Sequence, residues 1–276
     1  MFTVNHVFPE INHITDAMGV CFTLIAGSRK ALLFDTGYGM EDVRAYVGTL
    51  TDKPVSVLLS HGHHDHILGA RWFGKTYLGA EDTEEFIERT GKEQRNKVME
   101  QAREENVPVP DDFMTAPIPL PEPIRFNERT GAFESRSEDL GDLEIRVIKV
   151  PGHTPGSIVL YVSAYDLLLT GDDWNPCTWM WFPTSVAANL WRDRMKELIR
   201  TLEEEKGRSI RHVICSHQPM VREGKEIQGF LEYVTDERMK EAPTIDMNAP
   251  ICTHEIRNDE KGWQLIFDRD KLREKI

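Results

Sequence analysis

His61-Gly62-His63-His64-Asp65-His66 places four imidazoles and one carboxylate within six positions. Neutral imidazole and carboxylate are the donors that suit zinc, iron or manganese. His61 and His63 are two apart, and in an extended segment such residues project to the same side. His64 then points away and is left out of the ligand set. Asp65 and His66 fall on the turn entering a short helix begun by Ile67-Leu68-Gly69-Ala70. Further along stand His153 in Pro-Gly-His-Thr-Pro-Gly, Asp172 in Thr-Gly-Asp-Asp and His217 in Cys-Ser-His-Gln-Pro.

These positions share a rule. Short β-branched or leucine-rich runs predict strands over Val20–Ala26, Ala31–Asp35, Val55–Ser60, Leu143–Val150, Ser157–Val162, Asp166–Thr170 and Arg211–Ser216. His61, His153, Asp172 and His217 each sit just past the C-terminal end of one of them. In sheets that alternate with helices, the connecting loops open at that rim and sites are built there. Gly27-Ser28 predicts a hairpin turn between the first two strands, with Arg29 and Lys30 in solvent.

Ser185–Lys206 predicts a helix with one apolar stripe (Ala187, Leu190, Trp191, Met195, Leu198, Leu202), capped by Thr184 or Ser185 and ended by Gly207. Glu81–Glu105 is more polar, with Glu/Lys and Glu/Arg pairs four apart and Gly91 as a break. It predicts an exposed excursion rather than a core helix. Residues 107–123 hold six of the 15 prolines and predict an extended strap. Candidate ligands lie on both sides of this strap and must converge, so it reads as a lid or an oligomer contact within one domain spanning 1–276. The excursion covers about 81–140.

The 276-residue chain is 40% hydrophobic, enough for a sizeable core, and carries a formal charge of −13. Such a surface disfavours nucleic acid and anionic lipid, both of which need Lys and Arg. The expected partner is a small-molecule substrate, with no nucleic acid and no membrane; a homo-oligomer is compatible with the strap. Four cysteines without a C-x-x-C pair predict free thiols. With no basic-then-apolar start and no apolar run near 20 residues, the expected location is the cytoplasm.

The ligand pattern resembles the metallo-β-lactamase fold superfamily. Its H-x-H-x-D-H signature is matched by His61, His63, Asp65 and His66. The three downstream ligands are matched by His153, Asp172 and His217, and an Asp ending a strand before a Gly by Asp35. The resemblance spans about residues 18–220. It implies an α/β fold of the four-layer αβ/βα sandwich type with metals at one edge. It also implies two divalent ions, zinc first with iron or manganese as alternatives. His61, His63 and His153 would hold one ion, Asp65, His66 and His217 the other, and Asp172 would bridge. Asp35 would orient ligands without touching metal. The implied chemistry is hydrolysis of an ester, thioester or lactone of a small metabolite by a metal-bridging hydroxide, with Asp65 and Asp172 as the catalytic carboxylates.

Within the superfamily, antibiotic-degrading members generally lack the bridging Asp and are exported, unlike this chain. The Gly-Gly-Cys-Gly-Arg-type segment of glyoxalase-II-like thioesterases is absent. The Tyr common in lactonases is replaced by Asn175, and the Glu usual in flavodiiron proteins by His63. The transfer-RNA-processing branch fits poorly with the charge. Glyoxalase-II-like and lactonase-like members remain the nearest. The alternatives are an iron oxidoreductase of the persulfide dioxygenase type or a phosphodiesterase on the same scaffold. Trp174, Trp179 and Trp181 follow the bridging position and divide between core and a substrate-facing aromatic wall. His6, His13, His212 and His254 read as structural or surface residues.

Overall fold

The computed structural model describes residues 1–273. The chain divides into two compact units. The first comprises Met1–Arg125, Ser137–Ile145 and Ser216–Val221, and the second Phe126–Arg136, Arg146–Cys215 and the chain from Arg222 onward.

The first unit is built on a seven-stranded sheet whose strands lie side by side in chain order. They are Thr3–Phe8, Ile11–Thr15, Cys21–Ala26, Ala31–Phe34, Val55–Leu58, Tyr77–Leu78 and Glu122–Pro123. The first four form an antiparallel meander, and the predicted turn at Gly27 closes on Lys30 at 3.0 Å. The remaining pairings are parallel. Phe34 pairs with Leu58, and parallel neighbours end together. Asp35 and Ser60-His61 therefore leave the sheet at one edge.

Ile14, Phe22, Leu24, Leu33 and Val57 pack against Val43 and Val47 of the helix Val43–Leu50. Burying each such side chain contributes about 1.5–3 kcal/mol. The 81–105 stretch breaks before Gly91, into Thr83–Arg89 and Lys92–Glu104. The expectation that it is an exposed excursion is corrected. Phe86 enters the main core, and Val98 and Ala102 pack with Leu68, Tyr38 and Phe113 in a second cluster. Three apolar contacts suffice to dock two helices whose remaining faces are charged.

The second unit holds most of another seven-stranded sheet, in the order Arg222–Glu223, His212–Ile214, Leu167–Leu169, Ile158–Val162, Glu144–Lys149, Phe133–Asp139 and Glu128–Thr130. Leu167–Leu169 runs parallel to His212–Ile214, so Thr170-Gly171-Asp172 departs where both strands end. A third sheet, in the order Cys177–Met180, Trp263–Asp268, Thr253–Asn258 and Thr244–Ile245, was not foreseen from sequence.

The long helix runs Ala188–Lys206 and buries Trp191, Met195, Leu198 and Leu202 against this unit's core. Gly207 ends it in the left-handed conformation, φ 65°, as a glycine can without strain. Its predicted cap is corrected. Ala187 occupies the N-cap without a side-chain bond, because the Ser185 hydroxyl is committed to the carbonyl of His153.

The described residues contain no disulfide; Cys21 and Cys215 are buried, Cys177 and Cys252 exposed. No described helix is long and apolar enough to cross a membrane.

Candidate metal centre

In the first unit, the strand Val55–Leu58 delivers Ser60, His61 and His63 to the edge where Asp35 emerges. Asp35 adopts φ 69°, uncommon for a residue with a side chain, and this turns its carboxylate back toward the loop. Oδ1 accepts the Ser60 N–H at 2.6 Å, and Oδ2 accepts the Ser60 hydroxyl at 2.8 Å. Oδ2 also lies 3.0 Å from His66 Nδ1, and Ser60 Oγ lies 2.9 Å from His61 Nδ1.

These bonds set the tautomers. A carboxylate only accepts, so His66 carries its proton on Nδ1. The Ser60 hydroxyl gives its proton to Asp35 and must accept from His61 Nδ1. Both rings are thus left with a lone pair on Nε2.

His63 is arranged the other way round. Glu85 Oε1 faces its Nε2 at 3.4 Å, and Arg89 braces Glu85 at 2.7 Å. The His63 imidazole, with Arg89, holds the Glu85 carboxyl down at about 2 despite its burial. A proton on Nε2 of His63 leaves Nδ1 as its donor atom. Asp82 accepts the Gly62 N–H at 3.0 Å and pins the loop between the two rings. The ring centroids of His61 and His63 lie 4.7 Å apart, and those of His61 and His66 lie 4.2 Å apart.

Asp65 and His66 sit within the helix His64–Ile67, one turn earlier than expected. Thr36 fixes this helix by donating both N–H and hydroxyl to the His66 carbonyl, at 2.9 and 2.8 Å. Asp65 Oδ2 is 3.3 Å from His66 Nε2 and 3.6 Å from His217 Nε2. Burial alone would raise the Asp65 carboxyl, but His66, His64 and His217 outweigh it and hold the group well below the usual carboxylate range. His64 stays outside both donor sets: its ring packs against Tyr38, centroids 5.6 Å apart, with Nδ1 4.0 Å from Asp65 Oδ1.

The His217 loop is held by His13, whose Nε2–H donates to the Gln218 carbonyl at 2.8 Å while Nδ1 meets the Thr23 hydroxyl at 2.9 Å. His13 is the structural histidine expected. It proves to be the anchor of a candidate ligand loop.

Two donor sets result in this unit. His61 and His63 offer ligand atoms within 4.8 Å of each other, and so do Asp65, His66 and His217. Buried acceptors that converge, with their protons directed elsewhere, are the chemistry of a cation site. The residues fit divalent metal.

In the second unit, His153 is fixed from three directions. Its N–H donates to Asp173 Oδ1 at 2.7 Å, its carbonyl accepts from the Ser185 hydroxyl at 2.7 Å, and its Nδ1–H donates to the Trp179 carbonyl at 2.7 Å. Nε2 again holds the lone pair, 3.8 Å from Asp172 Oδ2. Gly152 is required beside it, since a Cβ there would stand 2.3 Å from Asp173 Oδ1 and 2.8 Å from Trp191 Cδ1. The Asp173 carboxylate is spent on the backbone of His153.

The tryptophans divide. Trp174 is fully buried against Phe230 in the core, which corrects its assignment as a substrate residue. Trp179 is 37% exposed and forms an aromatic ledge with Trp181 and Phe182, whose rings stack at 4.3 Å. Phe182 in turn sets an edge against the His153 ring at 5.2 Å. Ser60, Asp82, Glu85 and Asp173 were not singled out beforehand as site residues; only Asp173, adjacent to a ligand position, carried any signal.

The Metallo-beta-lactamase superfamily model matches residues 18–172, more than half of the chain. The chain belongs to the metallo-beta-lactamase superfamily. The match takes in Asp35, the His61–His66 run, His153 and Asp172, and stops short of His217. Among curated proteins, the acyl-coenzyme A thioesterase MBLAC2 of Gallus gallus is 25% identical over an alignment of 170 residues that covers 55% of this chain and 60% of that relative. The chain thus matches less than two thirds of its relative.

Among solved structures, the stereoselective inverting sec-alkylsulfatase Pisa1 from Pseudomonas sp. superposes with a TM-score of 0.60 at 16% identity, over 87% of this chain and 43% of that one. A metallo-beta-lactamase from Pontibacter korlensis gives 0.52 at 15% identity, over 84% and 98%. Likeness at this identity shows the fold alone, and that fold is the α/β sandwich implied by the ligand signature. Superfamily membership is shown by residues 18–172, and the donor sets are of the kind that fits divalent metal.

Proposed function

We propose that the two units bring their donor sets together on a bimetallic centre that hydrolyses an ester, thioester or lactone of a small metabolite. His61, His63 and His153 would hold one ion, and Asp65, His66 and His217 the other, with Asp172 shared. The observation that carries this reading is the direction of the protons. Asp35 accepts the Nδ1–H of His66, the Ser60 hydroxyl that of His61 and the Trp179 carbonyl that of His153, so that all three rings present Nε2 as bases. A divalent ion held by these residues would supply hydroxide from water near neutral pH and would polarise the carbonyl oxygen under attack.

The chain's own groups do the rest. Ionised Asp65 accepts a hydrogen bond from the attacking water and so orients it. Asp35, Glu85 and Asp173 hold their imidazoles or loops still, so that no reorganisation is needed as charge develops. The Trp179–Phe182 ledge provides an apolar face beside His153 for the non-reacting part of the substrate. The thioester is favoured among the three substrates by the chicken thioesterase relative. Zinc is the proposed metal, because the donors are imidazoles and carboxylates in small sets.

Metal-loaded protein assayed against acyl thioesters, carboxyl esters, lactones and phosphodiesters tests this. The expected result is turnover of an acyl substrate, lowered at least about a hundredfold by Asp172→Asn. Turnover confined to phosphodiesters, or oxygen consumption with a single iron per chain, would overturn it.

A further inference from the structure

In the third sheet, Cys177–Met180 runs parallel to Trp263–Asp268 with Met180 opposite Phe267. The segments that follow, Trp181–Ser185 and Arg269–Lys271, therefore leave the sheet at the same end. There the Lys271 ammonium donates to three carbonyls of one turn: Phe182 at 2.7 Å, Pro183 at 2.8 Å and Ser185 at 3.1 Å. An ammonium has three protons, and this turn takes all of them.

The turn itself is closed by the Ser185 N–H on the Phe182 carbonyl at 3.0 Å, and Pro183 has no N–H to add. Contacts from the turn lead to the candidate ligand. The Ser185 hydroxyl donates to the His153 carbonyl, the Val186 N–H donates to the Gly152 carbonyl at 3.0 Å, and the Phe182 ring abuts the His153 imidazole. Asn189, in the first turn of the long helix, secures the same C-terminal segment, donating to the Arg273 carbonyl at 2.7 Å and accepting its N–H at 3.3 Å.

We infer that Lys271 is a positioning residue: by gathering three carbonyls it holds the Phe182–Ser185 turn, and with it the aromatic ledge and the backbone of His153, in one arrangement. A residue about 90 positions from the ledge in sequence thereby sets the shape of the substrate face. Asp173 fixes the N–H of His153 from one side, and Lys271, acting through Ser185, fixes its carbonyl from the other. Only the consequence for turnover rests on the proposed hydrolase; the clamp stands on the geometry of the second unit.

The test is fluorine NMR of protein labelled with 5-fluorotryptophan, with resonances assigned by single Trp→Phe variants. Lys271→Met is expected to broaden or split the Trp179 and Trp181 resonances while those of Trp174 and Trp191 stay as in the unmodified protein. Lys271→Arg keeps the charge and part of the donor set, and should recover most of the sharpness. Unchanged Trp179 and Trp181 resonances in Lys271→Met would overturn the inference, and so would a disturbance spread over all six tryptophans, which is the mark of general loosening. Should Lys271→Met fail to fold, Lys271→Gln takes its place: a neutral amide with two N–H groups cannot serve three carbonyls as the ammonium does, and unchanged Trp179 and Trp181 resonances there would overturn the clamp.

With decanoyl-coenzyme A as probe, Lys271→Met should raise KM about fivefold with kcat within about twofold. An inert unmodified protein would count against the thioester reading, whereas the resonances judge the clamp separately.

Discussion

At the residue scale, proton placement organises the candidate centre. Asp35→Asn would put an amide donor where His66 Nδ1 and the Ser60 hydroxyl now find an acceptor. His66 would then carry its proton on Nε2, facing the cation. The expected outcome is a loss of metal affinity of about 10–100-fold with little change in fold, measured by competition with a chromophoric chelator. Unchanged affinity would contradict the assigned tautomers.

His13 gives a pH prediction. Burial depresses it to about 4 from 6.5, so the folded state binds its proton less readily than the unfolded state does. The stability that neutral His13 provides is complete above pH 6.5 and is lost as pH falls toward 4, by about 3 kcal/mol in all. Burial raises Asp16 to about 6, and that group acts in the opposite sense over much of the same range. The difference between the unmodified chain and His13→Gln, followed by urea unfolding from pH 7 to 4, isolates the His13 contribution. A difference that does not vary with pH would contradict it.

The ligands were legible at this scale because imidazoles are rare and their spacing is close. Ser60, Asp82 and Glu85 were not legible, since a serine or an acid becomes a partner only through neighbours that the fold supplies.

At the element scale, every strand expected from a β-branched or leucine-rich run is present, trimmed by one or two residues at its ends. Those runs are buried, and burial is what hydrophobic pattern reports. Other strands were missed. Thr3–Phe8 lies at a sheet edge with Asn5 and His6 in its middle. Thr253–Asn258 sets a single Ile256 among polar and charged residues, which weakens any single-window signal. Trp263–Asp268, with Leu265, Ile266 and Phe267 buried in a row, carries the same apolar signal as the expected strands and was overlooked. The long helix was found from its stripe, although its start moved because Ser185 serves His153 instead of the helix. Its stability rests on packing, so Leu198→Ala, at a fully buried position, should cost about 2–5 kcal/mol by chemical denaturation. A cost below about 1 kcal/mol would show that the stripe is not the core contact described.

At the scale of the whole molecule, two units with separate cores each carry candidate ligands, and the proposed function assigns both sets to one centre. The first unit brings five candidate ligands and the partners of the His61, His63 and His66 rings; the second brings His153, Asp172 and the aromatic ledge. The acidic charge and the strap at 107–123 were legible as composition, but their roles depend on partners that composition does not name. The central claim is that both units serve one pair of ions. Zinc-edge anomalous diffraction from crystals of the metal-loaded protein tests it most directly. The account predicts two peaks about 3.5–4 Å apart, one bounded by His61, His63 and His153 and the other by Asp65, His66 and His217, with Asp172 reaching both. A single peak, or two peaks that His153 and Asp172 do not touch, would contradict it.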